Sequence, residues 1–246
     1  MSGGHAHGGG LASVEAAAAG DSPVHRLDPR AKILGLVGLV VVSVATPVGA
    51  WAAFVAYLAA LLALTALARL RARFVLRRMT VELPFVMAAA ILVLVRGPQE
   101  GLTLAARITT SVLAMVVLSS TTPFPQLLRG FERLRAPRLI VVIVAFMWRY
   151  LHVIGEEVRR MRVAREARGY APRNLWQARS AIGGTIAALF IRSLERGERV
   201  YLAMLSRGYT GGVPAVVTAP LALRAADIAF LAGLAVFLAA ARVLLT

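Results

Sequence analysis

The chain alternates long apolar runs with short arginine-dense ones, and the breaks between them set its predicted elements. Ile33 to Thr46 is almost wholly apolar, Pro47 and Gly49 interrupt it, and Trp51 to Leu67 forms a second run. The pair predicts a tight helical hairpin with an interfacial tryptophan at its turn. Asp28-Pro29 opens the first helix, since Asp accepts orphan N–H bonds at an N-cap and Pro is preorganised for the first helical position. Leu83 to Val95 is the third run, extensible back through Met79, with Pro84 tolerable near a helix start. Leu102 to Ser120 is the fourth, and Leu221 to Leu245 the last.

Charge gives these runs a direction. Arg69, Arg71, Arg73, Arg77 and Arg78 follow the second run, and Arg26, Arg30 and Lys32 lead the first. The positive-inside rule makes both ends cytoplasmic, which agrees with two crossings between them. The loop Arg96 to Gly101 has one Arg and one Glu and reads as external. Arg107 lies near the outer end of the fourth run, placed either to snorkel as an anchor or to face a helix partner as a functional charge. Arg224 and Asp227 stand at i, i+3 near the inner end of the last run, where they can pair, and Arg242 can snorkel at its other end.

The region after Thr122 breaks the pattern. Pro123 and Pro125 interrupt the chain, and Gln126 to Arg138 carries Arg129, Arg133, Arg135 and Arg138 on a short helical pattern. Leu139 to Trp148 is apolar for only about ten residues before Arg149, against roughly 20 needed to span hydrocarbon. Both its flanks are arginine-rich, so it reads as a cytoplasmic helix, buried or on the membrane surface. Ile154, Val158, Met161, Arg165 and Arg168 step by four and three and share one stripe of its continuation. A second basic helix runs from about Arg179 to Arg207. The sequence thus predicts an all-α polytopic membrane protein with about five transmembrane helices, amino end inside and carboxyl end outside, plus long cytoplasmic helices. Its segments are a disordered Gly/Ala/His tail (1–24), transmembrane helices 1–4 (25–122), a cytoplasmic helical region (123–212) and a final transmembrane helix (213–246).

Composition narrows the chemistry. Hydrophobic residues make up 59% of the 246, while 28 Lys+Arg stand against 12 Asp+Glu for a net +16. Soluble domains are usually less apolar, and here the charge is confined between apolar runs, as in polytopic membrane proteins. Zero cysteines exclude disulfides, thiolate metal sites and a cysteine nucleophile. Lys32 is the only lysine, and Arg30-Ala31-Lys32-Ile33 has no glycine loop before it, so the chain holds no Walker A site. The tail lacks the features of a secretory signal and is expected to stay cytoplasmic. His5 and His7 on it make a weak metal site, and with His25 and His152 they form no spaced ligand set. No metal or cofactor is expected.

The most informative feature is an internal echo, Ala167-Arg168-Gly169-Tyr170 and Ser206-Arg207-Gly208-Tyr209. Each closes an arginine-rich helix, with Pro172 or Pro214 downstream. Gly after a terminal Arg is a common cap, and the cation suits the negative end of the helix dipole. Two copies on successive helices suggest two equivalent arms for two equivalent sites on a dimeric partner. A guanidinium suits that role because it is always charged, planar and able to make forked contacts.

With Asp28-Pro29-Arg30, the proline-initiated segment after Thr122 and both small-Arg-Gly motifs, the chain from Val24 to Gly211 resembles the transmembrane T component of energy-coupling factor (ECF) transporters. Within that family it is most similar to the cobalt-type member, CbiQ. The resemblance implies a non-catalytic scaffold in a bacterial-type cytoplasmic membrane. Its two coupling helices would dock onto two ATP-binding cassette (ABC) ATPase subunits and move a separate substrate-binding membrane subunit, here for cobalt ion uptake. Matched residue by residue, the ATPase-coupling positions are Ala167, Arg168, Gly169, Ser206, Arg207 and Gly208. On the residues alone, an integral membrane enzyme acting on a lipid or nucleotide-linked substrate is the main rival. It would require clustered carboxylates, whereas Glu156-Glu157 sits among arginines and reads as solvated ion pairing. A passive channel or basic membrane anchor explains helices and charge but not the repeated motif. Nucleic acid is not expected as a partner, because the basic clusters follow topology and carry few interleaved aromatics.

Overall fold

The computed structural model describes residue 18 and residues 20–170, 174–210 and 224–245. These are helical, with no strand among them: α1 Pro29–Ala45, α2 Trp51–Leu67, α3 Ala72–Met79, a 3-10 turn Thr80–Glu82, α4 Leu83–Arg96, α5 Pro98–Thr121, α6 Phe124–Arg133, α7 Arg138–Ala167, α8 Leu175–Leu205 and α9 Ala225–Leu245. They form two compact units, Met1–Arg135 with Ala219–Thr246, and Ala136–Thr218. His5, His7, Pro172, Pro214 and the stretch 211–223 lie outside the described residues, as does most of the expected tail. The end of that tail is packed, however: Ser22 and Val24 are buried, and the Ser22 hydroxyl lies 2.7 Å from His25 Nδ1.

In the first unit α1 starts as its sequence dictates, with Asp28 as N-cap accepting from the Arg30 N–H at 2.9 Å. The hairpin to α2 turns at Gly49, whose φ is +90°. Ile33, Leu36 and Leu39 of α1 bury against Phe54, Tyr57 and Leu61 of α2, Leu113 and Val117 of α5, and Leu234 and Leu238 of α9. Fully burying each such side chain stabilises by about 1.5–3 kcal/mol. α4 differs: Ala89 is its buried residue, and Leu94 and Val95 stand 86% and 74% exposed, as suits a helix facing lipid. It is pressed onto α5 at Gly101, where an added Cβ would lie 2.3 Å from the Val93 side chain and 2.8 Å from the Ala89 carbonyl. Near the middle of Ala72–Arg96, the 3-10 turn holds buried Glu82, which accepts from the Thr109 hydroxyl of α5.

Arg107 faces a helix partner: its Nη2 donates to the Thr46 carbonyl at 2.6 Å, placing a cation at the C-terminal end of α1. The same threonine's hydroxyl donates to the Val42 carbonyl and meets Tyr57 Oη at 3.2 Å.

Four segments are long and apolar enough to cross a membrane: Ala72–Arg96, Pro98–Thr121, Arg138–Ala167 and Ala225–Val243. α1 and α2 have 17 residues each, or roughly 25 Å at ~1.5 Å per residue, the lower limit for a crossing. α7 runs unbroken for 30 residues past Arg149, as its expected continuation requires, because a single arginine inside an apolar helix neither removes a hydrogen bond nor clashes with the preceding turn. What it corrects is the apolar length, which is enough for a crossing. Length therefore does not keep α7 out of a bilayer, and only its charged flanks speak for a cytoplasmic position.

In the second unit α8 is capped by Asn174, whose side chain accepts from the Gln177 N–H at 2.8 Å. Its first residue, Leu175, is four residues before the expected start at Arg179. α7 and α8 lie antiparallel, as their bonds show: Tyr170 Oη donates to the Gln177 carbonyl at 2.8 Å, Arg165 Nη1 to the Ala181 carbonyl at 3.0 Å, and Arg192 Nη1 to the Glu157 carboxylate. Gly183 and Gly184 fall inside α8 and not at its start. Beyond the helix's own backbone, no described residue lies within 4 Å of either's Cβ position, so neither marks a close packing point among the described residues.

Candidate functional site

The two copies of the motif fold alike. Gly169 and Gly208 take φ of +74° and +79°, the left-handed region that glycine enters without a steric penalty. The Gly169 N–H bonds the Glu166 carbonyl at 3.0 Å and the Tyr170 N–H bonds Arg165 at 3.2 Å. At the other copy the Gly208 N–H bonds Leu205 and the Tyr209 N–H bonds Met204, both at 3.0 Å. This is the Schellman pattern, in which the turn satisfies carbonyls that would otherwise end the helix unpaired. Arg168 and Arg207 thus occupy the same place, the last position before the left-handed glycine. Both side chains are exposed, as are Ala167 and Ser206.

The antiparallel register separates the two copies. With Tyr170 beside Gln177 and Glu157 beside Arg192, Arg168 is level with the start of α8 and Arg207 closes its far end. Some ~28 residues of helix lie between them, or roughly 40 Å at ~1.5 Å per residue. One small pocket cannot receive both guanidinium groups.

Between α7 and α8 runs a groove of ≈ 610 Å³ lined by Arg160, Arg165, Arg168, Arg192 and Glu157. Glu157 accepts from Arg160 at 2.8 Å and from Arg192, and Glu156 accepts from Arg159 at 2.7 Å. The adjacent glutamates therefore serve ion pairs. Glu157 rather than Val158 belongs to the face toward α8, one position from the expected stripe, while Met161 and Arg165 are on it. Of the histidines described, His25 bonds Ser22 and His152 packs edge-on against the Trp148 ring at 5.9 Å. Among the described residues no three His, Asp or Glu side chains gather as a metal site.

The family described as Cobalt transport protein, CbiQ, matches residues 20–217, most of the chain. The chain belongs to the CbiQ family. The Cobalt transport protein CbiQ of Rhodobacter capsulatus is 31% identical over 128 residues, 52% of either chain. The Energy-coupling factor transporter transmembrane protein EcfT of Bacillus selenitireducens is 28% identical over 224 residues, 78% of this chain and 82% of that one. The Nickel permease LarQ of Lactiplantibacillus plantarum is 32% identical over 91 residues, 37% of this chain and 33% of its own. The chain spans about half the length of the Rhodobacter protein and of two uncharacterized Methanocaldococcus jannaschii proteins.

One part of this CbiQ-family chain was not foreseen from its sequence. Lys32, 1% exposed, donates to the Thr121 carbonyl at 2.9 Å and the His25 carbonyl at 3.3 Å. Asp227, 2% exposed, accepts from the backbone N–H of Asp28 and of Arg224, each at 2.7 Å. These bonds tie the starts of α1 and α9 and the end of α5 into one buried polar node. Arg224 thus meets Asp227 through its main chain rather than through the side-chain pair expected. The sequence signal was faint: a lone lysine in a chain that otherwise uses arginine, one turn after a capping aspartate.

Proposed function

We propose that the chain is the transmembrane scaffold of an ECF-type ABC importer for cobalt ion. It is a non-catalytic subunit that couples ATP hydrolysis by two ABC ATPase subunits to movement of a separate substrate-binding membrane subunit. One observation carries this reading: two identically capped helix ends present exposed Arg168 and Arg207 roughly 40 Å apart, by residue count along α8. Two equivalent, well-separated cations suit a partner with two equivalent acceptors, as a dimer of ATPases provides. Ala167, Gly169, Ser206 and Gly208 shape the two tips, and the guanidinium groups supply the charge-assisted contacts.

The exposed apolar side chains of this unit fit the same role. Leu139, Ile143 and Met147 of α7 and Ile182, Ile186 and Phe190 of α8 are each more than half exposed, which suits contact with lipid or with membrane partners. Cobalt is the cargo, and its ligands belong to the separate membrane subunit. The domain order follows: helices of 25–122 and 213–246 in the bacterial cytoplasmic membrane, the coupling region 123–212 on the cytoplasmic face, and the amino end cytoplasmic. The test is a pull-down of the full chain in mild detergent followed by uptake in vesicles. Recovery of an ATPase pair with a small membrane subunit, and ATP-dependent cobalt uptake by the assembly, is the expected result. Recovery of the chain with no ATPase would overturn the proposal, whereas uptake of nickel alone would correct only the cargo.

A further inference from the structure

At the end of the first unit that carries the arginine-rich loop, a cavity of ≈ 540 Å³ opens between the end of α2 and the start of α9. Asp21, Arg26, Arg69, Arg224, Ala226 and Asp227 line it together with Ser22, Pro23 and Leu27. Both carboxylates are already engaged. Asp21 takes the Arg26 guanidinium on both oxygens, at 2.8 and 2.9 Å, and that pairing with the nearby Arg69 charge holds its carboxyl below the usual range. Asp227 accepts the two backbone N–H bonds of the polar node, one on each oxygen. The guanidinium groups of Arg69 and Arg224 make no hydrogen bond to a carboxylate among the described residues, so the cavity presents two cations to whatever enters it.

The backbone at Arg69 adds a separate observation. α2 ends in the same turn as the two coupling motifs, the Arg69 N–H bonding Ala66 at 2.9 Å and the Leu70 N–H bonding Thr65 at 3.3 Å. Here, however, the left-handed position, φ +53°, holds an arginine where the motifs hold glycine. Arg135 is the other such arginine. A side chain in that conformation is strained, and such residues cluster at ligand-binding and active sites.

We infer that this cavity binds the headgroup phosphate of an anionic phospholipid. A phosphate diester accepts forked bonds from two guanidinium groups at once. The cavity also lies where a lipid would reach it, at the ends of two apolar helices whose Leu67 and Ile228 stand 57% and 61% exposed. The basic loop places this end at the cytoplasmic surface, where anionic lipid attracts basic side chains. The inference does not depend on the ATPase-coupling role.

Native mass spectrometry of the purified full chain, titrated with phosphatidylglycerol or phosphatidylcholine, tests it. The wild type should retain one phosphatidylglycerol at least tenfold more tightly than phosphatidylcholine. Arg69→Gly with Arg224→Gln should lose that preference. Because Arg69→Gly relieves the strained turn, the single variant should melt no lower than wild type, separating loss of lipid from loss of fold. Ala226→Trp, which adds bulk to the cavity lining and keeps both charges, should lose the lipid too. Arg71→Gln with Arg73→Gln removes equal charge from the same loop and should change binding less than twofold. Equal loss in that control pair would mean diffuse surface attraction and overturn the site. Displacement of the lipid by inorganic phosphate at equal concentration would assign the cavity to free phosphate and overturn the lipid.

Discussion

Gly169→Ala and Arg168→Ala perturb adjacent residues of one α7 tip but act through different physics, and comparing them tests whether that tip couples to an ATPase as proposed. At Gly169 the φ of +74° makes any Cβ unfavourable, although beyond its chain neighbours no described residue lies within 4 Å of where it would sit. The cost is therefore conformational alone, about 1–2 kcal/mol. The last turn can escape it by fraying, which shifts the tip's population roughly 5- to 30-fold with little effect on the rest of the chain. Arg168 is exposed, so truncating it costs the helix at most about 1 kcal/mol of dipole interaction. If its guanidinium is desolvated against an ATPase, its loss costs roughly 2–5 kcal/mol, or about 30-fold or more in affinity. Binding of each purified full-length variant to the ATPase subunits in detergent should rank wild type, then Gly169→Ala, then Arg168→Ala. The double variant should bind no worse than Arg168→Ala, because a misplaced tip without its cation has nothing further to lose. A loss under threefold for Arg168→Ala, with a larger one for Gly169→Ala, would refute the reasoning and leave the motif as a helix cap.

Four further outcomes are expected. Single cysteines in this cysteine-free chain should label from outside at Gln99 and from inside at Arg73 and Asn174; external labelling at Asn174 would mean that α7 crosses. Lys32→Met breaks the buried node and should lower stability by roughly 1–3 kcal/mol, seen as a fall in melting temperature by fluorescence-detected gel filtration; an unchanged melt would deny the node its structural role. Gly101→Val forces α4 off α5 and should cost about 1–3 kcal/mol or more in the same assay, whereas Gly38→Ala, in open space, should cost little. Arg168→Ala with Arg207→Ala should nearly abolish uptake by the assembled transporter at unchanged membrane abundance, and wild-type uptake would contradict the coupling role.

Local rules were readable from the sequence where one residue decides a backbone. The Asp28 cap, the turn at Gly49 and the two glycine stops each follow from φ and from orphan hydrogen bonds. The continuation of α7 past Arg149 was legible, because helix formation ends at caps and breakers and not at a charge; its spanning length was not, because Arg149 was taken as the end of the apolar segment. One member of the α7 stripe was misplaced for a related reason: apolar spacing favours Val158, but the pairing with Arg192 turns Glu157 inward, while Met161, Arg165 and Arg168 fall as expected. The buried node was out of reach. Asp28 and Asp227 meet across 199 positions of chain, and no local pattern reports such a contact.

The antiparallel register of α7 and α8 makes the distance between the arginine tips a ruler graduated in residues. Deleting seven residues from α8 between Gly184 and Leu205 would draw Arg207 nearer to Arg168 by roughly 10 Å while turning it only ~20° about the helix axis. Deleting four or five would leave it pointing away from its former direction by a different amount for each. A docking partner of fixed spacing would therefore read α8 in both length and phase, and a change of partner would demand that whole turns be gained or lost together.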